Sequence, residues 1–406
     1  MSQPLIDSVA LLAALEESGS KLVIVATGGG SPAISHLLTT PGASGVVLEC
    51  LVPYAREAVD RLLGGQQEGY CSSRSARRLA VMAWQRACAL GAPPATAIGA
   101  AVTASLRSRT PKRGQHRIVV AMHGLGATSV ATLVLRKEAR SRADEEMVAA
   151  ALLLERLASF SSGCRSPLAP SLLQLLDDER LEIECCEPPV AWQELLAGSR
   201  TAVHAAVDPS RHRPAPAPSS ADAAPAAGML IFPGSFDPLH EGHLRMAIVA
   251  QEIAERPIDF ELSVTNVDKP TLDSLEMESR AAQFAGRSLW LTRAATFVEK
   301  LDVFPEGTFV MGADTYARLA DPTYYGGSTE AAGRAVQRIA AQARGLIVFG
   351  RELNGVFEDP ERLDVPPVLR EVTSFVSQRV FRMDISSTVL RRQRDSTDCL
   401  SGVATP

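Results

Sequence analysis

Two histidines, His240 and His243, lie three residues apart in the segment GSFDPLHEGHL. A short apolar stretch, MLIFP, precedes this segment and predicts a buried strand, and the residues after it have the periodicity of an amphipathic helix. Side chains three apart share one face of a helix, and the first turn of a helix carries partial positive charge. We therefore expect both imidazoles to face one anion, unless they serve only as a helix cap and a core residue.

A second segment with suitable chemistry, DISSTVLR, begins at Asp384. The hydroxyl of Ser386 or Ser387 can cap another helix, which leaves hydroxyls and backbone N–H groups for phosphate oxygens. Arg391 follows one turn further along, with Arg392 as the alternative cation. Both segments thus favour phosphate binding.

Three small residues support the same interpretation. Gly234 and Ser235 directly follow the predicted strand, where backbone N–H groups and a hydroxyl can hold phosphate, and Gly242 lets a ligand approach the backbone closely. Nucleotidyl transfer suits such a site, because it concentrates negative charge on phosphorus and on the departing pyrophosphate. No covalent nucleophile is required, so catalysis would rest on positioning and charge stabilisation.

Together, the two segments resemble the paired signature of the HxGH nucleotidylyltransferase superfamily, and in detail the nicotinate/nicotinamide mononucleotide adenylyltransferases, over about residues 229–395. The resemblance implies adenylyl transfer from ATP, entering with Mg²⁺, to a pyridine mononucleotide. It implies a catalytic role for His240, His243 and Arg391. The nucleotide-binding positions that it implies are Gly234, Ser235, Phe236, Gly242, Lys269, Gly312, Asp314, Ile385, Ser386, Ser387 and Thr388.

Three charged positions in this half have simpler alternatives. Lys269 matches a phosphate-contacting lysine of the family and Arg280 lies on the following helix, but each could be a solvated surface charge. Asp314, in the segment MGADTYARL, would contact the nucleotide or an ordered water, or would merely cap a helix.

A glycine-rich turn marks the N-terminal half. The apolar segment LVIVAT leads into Gly28, Gly29 and Gly30, which suits a strand-to-helix turn that binds a phosphorylated ligand or a tight structural turn. The stretch from Val25 to Val59 resembles the CinA C-terminal family, whose active members remove the amide of nicotinamide mononucleotide; the resemblance covers roughly residues 10–160. The ligand-binding positions that it implies are Thr27, Gly28, Gly29, Ser44, Tyr54, Thr103 and Arg142.

Valine at position 59 replaces the lysine of this family's motif. A serine amidohydrolase needs a base for the hydroxyl proton, and valine cannot serve as one. We therefore expect a domain that binds a nucleotide without hydrolysing its amide.

Composition narrows the classes of partner. The sequence contains 41 basic and 46 acidic residues and no dense basic run. It therefore does not favour binding to nucleic acid. No apolar run is long enough to span a membrane, and seven scattered cysteines favour buried or free thiols over a metal site. We expect a cytoplasmic protein that binds small nucleotides; homo-oligomerisation stays open.

A Pro/Ala-rich stretch divides the 406 residues into two α/β domains, and the C-terminal one is expected to contain a Rossmann-like parallel sheet. The predicted divisions are domain 1–205, linker 206–228 and domain 229–406. Strands are predicted at 22–30, 44–54, 116–123, 127–136, 181–187, 229–233, 259–264, 308–311 and 345–349. Helices are predicted at 54–63, 73–90, 95–106 and 144–159.

Two other functions remain compatible with the sequence. The transferase could use another phosphorylated acceptor, such as phosphopantetheine or a sugar phosphate. Alternatively, both domains could bind nucleotides as a sensor without turnover; the intact histidine pair argues against this in the C-terminal half, whereas Val59 argues for it in the N-terminal half.

Overall fold

The described part of the chain divides into two α/β units in this computed structural model. The N-terminal unit comprises residues 1–193 together with 268–277, and the C-terminal unit comprises 194–267 and 278–406. The structure describes residues 7–163, 175–205, 207–208, 213–214, 224–267, 270–353, 356–358 and 360–381.

The N-terminal unit is built on a six-stranded mixed sheet. Its strands are β1 (Lys21–Thr27), β2 (Val47–Leu51), β3 (Ala97–Ser105), β4 (His116–Gly124), β5 (Ala127–Leu135) and β6 (Arg180–Cys186). The helices are α1 (Ser8–Glu17), α2 (Ser31–Leu38), α3 (Ala43–Val46), α4 (Arg56–Leu63), α5 (Ser73–Ala89) and α6 (Arg142–Ser161). The strand order is β2-β1-β3-β4-β5-β6, with β1 parallel to both neighbours and the last three strands antiparallel.

Alternate residues of β1 enter two different cores. Leu22 and Ile24 of β1 pack in the cluster that includes residues of α1, α2 and α6. Val23 and Val25 face the opposite side, in the cluster with residues of α4 and α5. The sheet is therefore covered on both faces, which explains the continuous apolar run of β1.

The predicted helix at 95–106 is wrong, because these residues form strand β3. Its many small residues have a tertiary cause. A Cβ on Gly99 would lie 1.9 Å from the backbone oxygen of Ala80 and 2.4 Å from the backbone nitrogen of Trp84, both on α5. Close packing of helix on strand selects the small residues here and overrides their helix propensity.

The C-terminal unit is built on a seven-stranded sheet. The remaining strands are β7 (Ala202–His204), β8 (Val207–Asp208), β9 (Arg213–Pro214), β10 (Leu230–Pro233), β11 (Ile258–Ser263), β12 (Leu289–Thr292), β13 (Thr308–Gly312), β14 (Gly345–Phe349), β15 (Arg351–Leu353), β16 (Val356–Glu358) and β17 (Thr373–Val376). The remaining helices are α7 (Val190–Ala197), α8 (Glu241–Ala254), α9 (Ser274–Ala282), α10 (Phe297–Val303), α11 (Ala313–Arg318), α12 (Thr329–Gln342) and α13 (Pro367–Glu371), with 3-10 turns at Pro322–Tyr325 and Pro360–Arg362. The first four residues of α7 and of α9 belong to the N-terminal unit.

The order β17-β14-β13-β10-β11-β12-β7 confirms the Rossmann-like parallel sheet. The first strand of this unit's parallel set, β10, lies between β11 and β13, so the chain builds the sheet outward in both directions from β10. Only β7 runs antiparallel, at the edge against β12. The carboxyl ends of β10 and β13 therefore meet at a topological switch point, where ligands bind in such sheets.

Two short segments lie in the unit opposite to the one that their sequence position predicts. Residues 202–204, assigned by sequence to the first domain, pair with β12. Residues 270–277, assigned to the second, belong to the N-terminal unit. Neither segment is long enough to show a hydrophobic periodicity that would indicate the unit against which it packs.

Segment 270–277 is held in the N-terminal unit by polar contacts. Arg77 lies 2.6 and 2.7 Å from the carboxylate oxygens of Asp273. The backbone N–H of Ser274 donates to Thr128 Oγ1 at 3.1 Å, and that oxygen lies 2.8 Å from His123 Nδ1. These contacts are largely buried and depend on one another.

The cysteines differ in part from the predicted free thiols. Cys185 is disulfide-bonded. The thiols of Cys50, Cys71 and Cys88 are free. Among the described residues, no helix is both long enough and apolar enough to cross a membrane.

Replacing His123 by glutamine is predicted to flatten the dependence of stability on pH. Burial lowers the pKa of His123 to about 4, below the roughly 6.5 of an unfolded chain. Between these values the unfolded chain binds more protons, so the free energy of unfolding falls as the pH falls, by about 2 kcal/mol from pH 7 to pH 5.

Urea unfolding at the two pH values measures this loss. Tryptophan fluorescence is a suitable signal, because the Trp84 ring lies edge-on to His123 with centroids 5.3 Å apart. The control variant His36→Gln should keep the wild-type pH dependence. An unchanged pH dependence in His123→Gln would contradict the assignment.

Candidate functional site

The sequence-predicted histidine pair lies at the start of α8, directly after the loop that leaves β10. His240 is the N-cap residue in extended conformation, and the backbone N–H of His243 donates to His240 O at 2.9 Å. The two imidazole rings stack with centroids 3.7 Å apart and an interplanar angle of 21°. One helix start therefore brings both rings together at the switch point of the sheet.

The tautomer of His243 follows from its hydrogen bond. Its Nδ1 accepts from the backbone N–H of His240 at 3.3 Å. A neutral ring that accepts at Nδ1 carries its proton at Nε2. His243 Nε2 is therefore a hydrogen-bond donor suited to a phosphate oxygen.

Aromatic packing fixes the orientation of the His243 ring. Phe236 lies edge-on to it with centroids 5.1 Å apart and is itself buried. Phe236 also contacts Phe232, Phe260 and Phe284 at 5.1 to 5.6 Å between centroids. Its φ of 43° lies in the left-handed region, which strains a non-glycine residue. Phe236 thus acts as a packing residue behind the histidines.

Gly234 and Gly242 both lie close to aromatic rings of the site. A Cβ on Gly234 would lie 2.5 Å from the Phe236 ring, and one on Gly242 would lie 3.0 Å from the His240 ring. Both glycines make room for rings of the site itself. Ser235, between them in the loop, is exposed.

Arg280 on α9 and Gln283, the residue directly after this helix, hold this loop. Arg280, one of the predicted phosphate contacts or surface charges, is buried and donates to Ser235 O at 2.9 Å. Gln283 accepts from the backbone N–H of Leu239 at 2.7 Å. The sequence analysis missed Gln283; its position three residues after Arg280, where a predicted helix would put both on one face, is the signal that could have indicated it.

Gly312 and Asp314 lie at the same edge of the sheet as the loop. Gly312 ends β13, and Asp314 is in the first turn of α11. A Cβ on Gly312 would lie 2.9 Å from the carboxylate of Asp314, so the missing side chain leaves space for that carboxylate. The predicted residues Lys269, Ile385, Ser386, Ser387, Thr388 and Arg391 lie outside the described residues.

The glycine-rich turn of the N-terminal unit follows β1 and requires its glycines. Gly28 has a φ of 74°, and a Cβ there would lie 2.0 Å from the backbone oxygen of Ala104. The guanidinium of Arg142 donates to Gly28 O at 3.0 Å. Arg142 therefore supports the turn itself, next to Thr27 and Gly29.

A carboxylate of the protein lies where an anionic ligand was expected. The backbone N–H and the hydroxyl of Ser31, at the start of α2, donate to Glu146 Oε1 at 3.3 and 3.1 Å. Glu146 also lies 3.4 Å from Arg142. A phosphate binding at this helix start would meet Glu146 first. Sequence reasoning missed Glu146, which lies 115 residues from Ser31.

Thr103 and Tyr54 lie at the same edge of the sheet as this turn. Thr103 is opposite Thr27 in the register of β3 and β1. Its hydroxyl is buried and has no hydrogen-bond partner among the described residues. Tyr54 follows the parallel strand β2 and is exposed. The pKa of Lys112 is lowered, mainly because the ammonium group is partly buried and secondly because it lies near the positive charge of Arg142.

Ser44 lies far from Thr103, Tyr54 and the glycine-rich turn of the same chain. It lies in α3, before β2, and Gly45 accepts a hydrogen bond from Lys21 at the start of β1. β1 is seven residues long, so Ser44 and the turn after Thr27 lie at opposite strand ends, about 20 Å apart. Val59 is buried in the core. The serine, the turn and a base are therefore not assembled here.

Solved structures similar to this chain are CinA-superfamily proteins, which match its N-terminal part. A CinA superfamily protein from Escherichia coli is 18% identical, with 38% of this chain and 87% of that chain covered and a TM-score of 0.33. The competence/damage inducible protein CihA from Agrobacterium tumefaciens is 20% identical, with 39% and 98% covered and a TM-score of 0.32. A competence or damage-inducible protein from Enterobacter asburiae is 18% identical, with 39% and 99% covered and a TM-score of 0.34.

No curated protein sequence matches the chain significantly. A family model described as cytidylyltransferase-like matches residues 231–393. The match begins within β10 and includes the loop, the stacked histidines and β13. Residues 231–393, within the C-terminal unit, are therefore similar to cytidylyltransferase-like proteins, in agreement with the resemblance of the two sequence segments to the HxGH nucleotidylyltransferase superfamily.

Proposed function

We propose that the C-terminal unit transfers an adenylyl group from ATP to nicotinate or nicotinamide mononucleotide and releases pyrophosphate. The observation that carries this proposal is the stacked pair His240 and His243 at the start of α8, at the switch point of the sheet. The resemblance of both halves of the sequence to pyridine-nucleotide families supports this choice of acceptor.

The proposed reaction needs positioned donors and no covalent intermediate. A phosphate oxygen of the acceptor attacks the α-phosphorus of ATP, and the bond between that phosphorus and the bridging oxygen to the β-phosphate breaks. Negative charge develops on the oxygens around the α-phosphorus and on pyrophosphate. The imidazole N–H groups of His240 and His243 and the positive end of α8 stabilise this charge.

We expect His243→Ala to lower kcat/KM at least about 100-fold, because one donor to the transition state is lost. The melting temperature should stay nearly constant, since the ring lies at a helix start and not in the middle of the core. Pyrophosphate release measures the rate, and His240→Ala should behave similarly. The control His36→Ala should keep wild-type activity.

Normal turnover combined with a lower melting temperature in His243→Ala would contradict this role. The histidine would then be a structural cap.

Magnesium enters the proposed reaction with ATP, as part of the substrate. The described residues contain no group of three or more His, Cys, Asp or Glu side chains arranged to hold a metal ion. Phosphate and water oxygens are normal ligands of this ion. We propose that ATP supplies most of its coordination.

Excess EDTA is therefore predicted to abolish pyrophosphate release, and added Mg²⁺ should restore it. EDTA saturated with Mg²⁺ beforehand is the control and should have no effect. Undiminished activity in excess EDTA would contradict the proposed magnesium requirement.

The acceptor is tested with a panel of phosphorylated compounds. The panel contains nicotinate mononucleotide, nicotinamide mononucleotide, phosphopantetheine and a sugar phosphate, each with ATP and Mg²⁺. If pyrophosphate is released only with phosphopantetheine or only with the sugar phosphate, the proposed acceptor is wrong and the proposed nucleotidyl transfer stands. No release with any of them would favour a nucleotide-binding sensor.

For the N-terminal unit we propose nucleotide binding without amide hydrolysis. The turn after β1, Arg142 and the start of α2 support binding of a phosphate. The valine at position 59 and the distant Ser44 argue against hydrolysis. Glu146 must move aside when a phosphate binds, because its carboxylate already accepts from Ser31.

Removing the charge of Glu146 is predicted to tighten binding of nicotinamide mononucleotide to this unit at least about tenfold, since a like charge near the phosphate is lost. Calorimetry on the full-length variant Glu146→Gln should show one site with increased affinity. The same site should be unchanged in His243→Ala, which separates it from the C-terminal unit. Ammonia release at a catalytic rate would contradict the absence of hydrolysis, and unchanged affinity would contradict the role of Glu146.

A further inference from the structure

A buried arginine holds one peptide group of the loop between β10 and α8. Arg280, 8% exposed, donates from Nη1 to Ser235 O at 2.9 Å. Its Nη2 lies 3.5 Å from the carboxylate of Asp237, which is 9% exposed. A guanidinium withdrawn from water is stable only when carboxylate and carbonyl oxygens replace the lost hydration. The loop and Arg280 therefore constrain each other.

A glutamine directly after the end of α9 holds the next peptide group. Gln283 Nε2 donates to Phe236 O at 3.2 Å. Its Oε1 accepts from the backbone N–H of Leu239 at 2.7 Å. One side-chain amide thus joins both ends of a four-residue segment of the loop. The same nitrogen lies 3.4 Å from Arg280 O, so all three partners of the amide are backbone atoms and the contacts fix backbone orientation.

The held carbonyls determine where two N–H groups point. In a planar trans peptide the C=O and the N–H point in opposite directions. Because Ser235 O and Phe236 O face the side chains of Arg280 and Gln283, the N–H groups of Phe236 and Asp237 point away from these side chains. Successive N–H groups beside a residue in left-handed conformation form an anion-binding concavity, and Phe236 has this conformation.

We propose that Arg280 and Gln283 are positioning residues for nucleotidyl transfer, which aim these two backbone donors at the phosphates of the substrate. The inference rests on the proposed function of the C-terminal unit. Neither side chain touches substrate; both act through the loop. Misplacement of reacting groups by about 1 Å can lower a rate about 100-fold, so loss of either contact is expected to affect catalysis.

Gln283→Glu is the sharpest test, because it keeps the shape and the acceptor for Leu239 while a carboxylate cannot donate to Phe236 O. At pH 8, kcat should fall about 100-fold, by more than the change in KM for ATP. Activity should recover towards pH 5.5, as the introduced carboxyl gains a proton and can donate again. Arg280, whose backbone oxygen lies 3.4 Å from Gln283 Nε2, carries a charge next to this position and pairs with Asp237; both remain in the variant.

The control for this variant is Gln342→Glu, since Gln342 is exposed on α12 and bonds only to Arg338. It should keep the pH profile of the wild type. A merely structural role of Gln283 would lower the melting temperature without this acid-dependent recovery. Such a result, or wild-type kinetics, would overturn the proposal.

Arg280 is tested with a pair of variants. Arg280→Met keeps much of the side-chain volume and removes both contacts, and kcat should fall about 100-fold. Arg280→Lys keeps one donor and the charge beside Asp237, so it should restore part of the loss. The control is Arg287→Met, because Arg287 is exposed and lies five residues after the end of α9. This variant should keep the kcat of the wild type. If Arg280→Met is as active as the wild type, Arg280 is not a positioning residue.

Hydrogen exchange separates failure of this inference from failure of the proposed function. Peptides that include Leu239 should exchange faster in Gln283→Leu than in the wild type, with β13 unchanged. This readout needs no substrate. If the wild type releases no pyrophosphate while exchange changes as stated, the proposed function is wrong and the loop contacts stand; unchanged exchange overturns the positioning role itself.

Discussion

The parallel pairing of β10 with both β11 and β13 is the constraint on which the C-terminal unit depends. Because successive strands add outward from β10 in two directions, the helices that follow β10 and β13 leave the sheet at neighbouring positions. The loop after β10 and the end of β13 therefore lie side by side at the carboxyl edge. The histidine pair and Asp314 occupy this edge, and the buried phenylalanines below them keep the loop in place.

The two units use the start of a helix after a parallel strand in different ways. In the C-terminal unit, α8 begins with two stacked imidazoles, which can donate to an incoming anion. In the N-terminal unit, the first N–H of α2 already donates to Glu146, and Arg142 contacts the preceding turn. An arriving phosphate therefore competes with a carboxylate in one unit and meets hydrogen-bond donors in the other.

Several glycines of this chain mark close approaches within the protein. Gly234 and Gly242 leave room for the rings of Phe236 and His240, and Gly99 leaves room for the backbone of α5. A glycine next to a functional residue is therefore ambiguous in the sequence, because packing and ligand access select the same residue. Only the atom that a Cβ would meet distinguishes the two causes.

The sequence alone determined the features that depend on neighbours along the chain. The histidine spacing predicted two rings on one helix start, and alternating strand and helix patterns predicted the Rossmann-like sheet; both are confirmed. Tertiary structure decided the rest, because it joins residues whose distance along the chain carries no periodic signal. Ser44 and Thr27 separate to opposite strand ends, Glu146 reaches Ser31, β3 replaces a predicted helix, and Gln283 reaches the loop 44 residues before it in the chain.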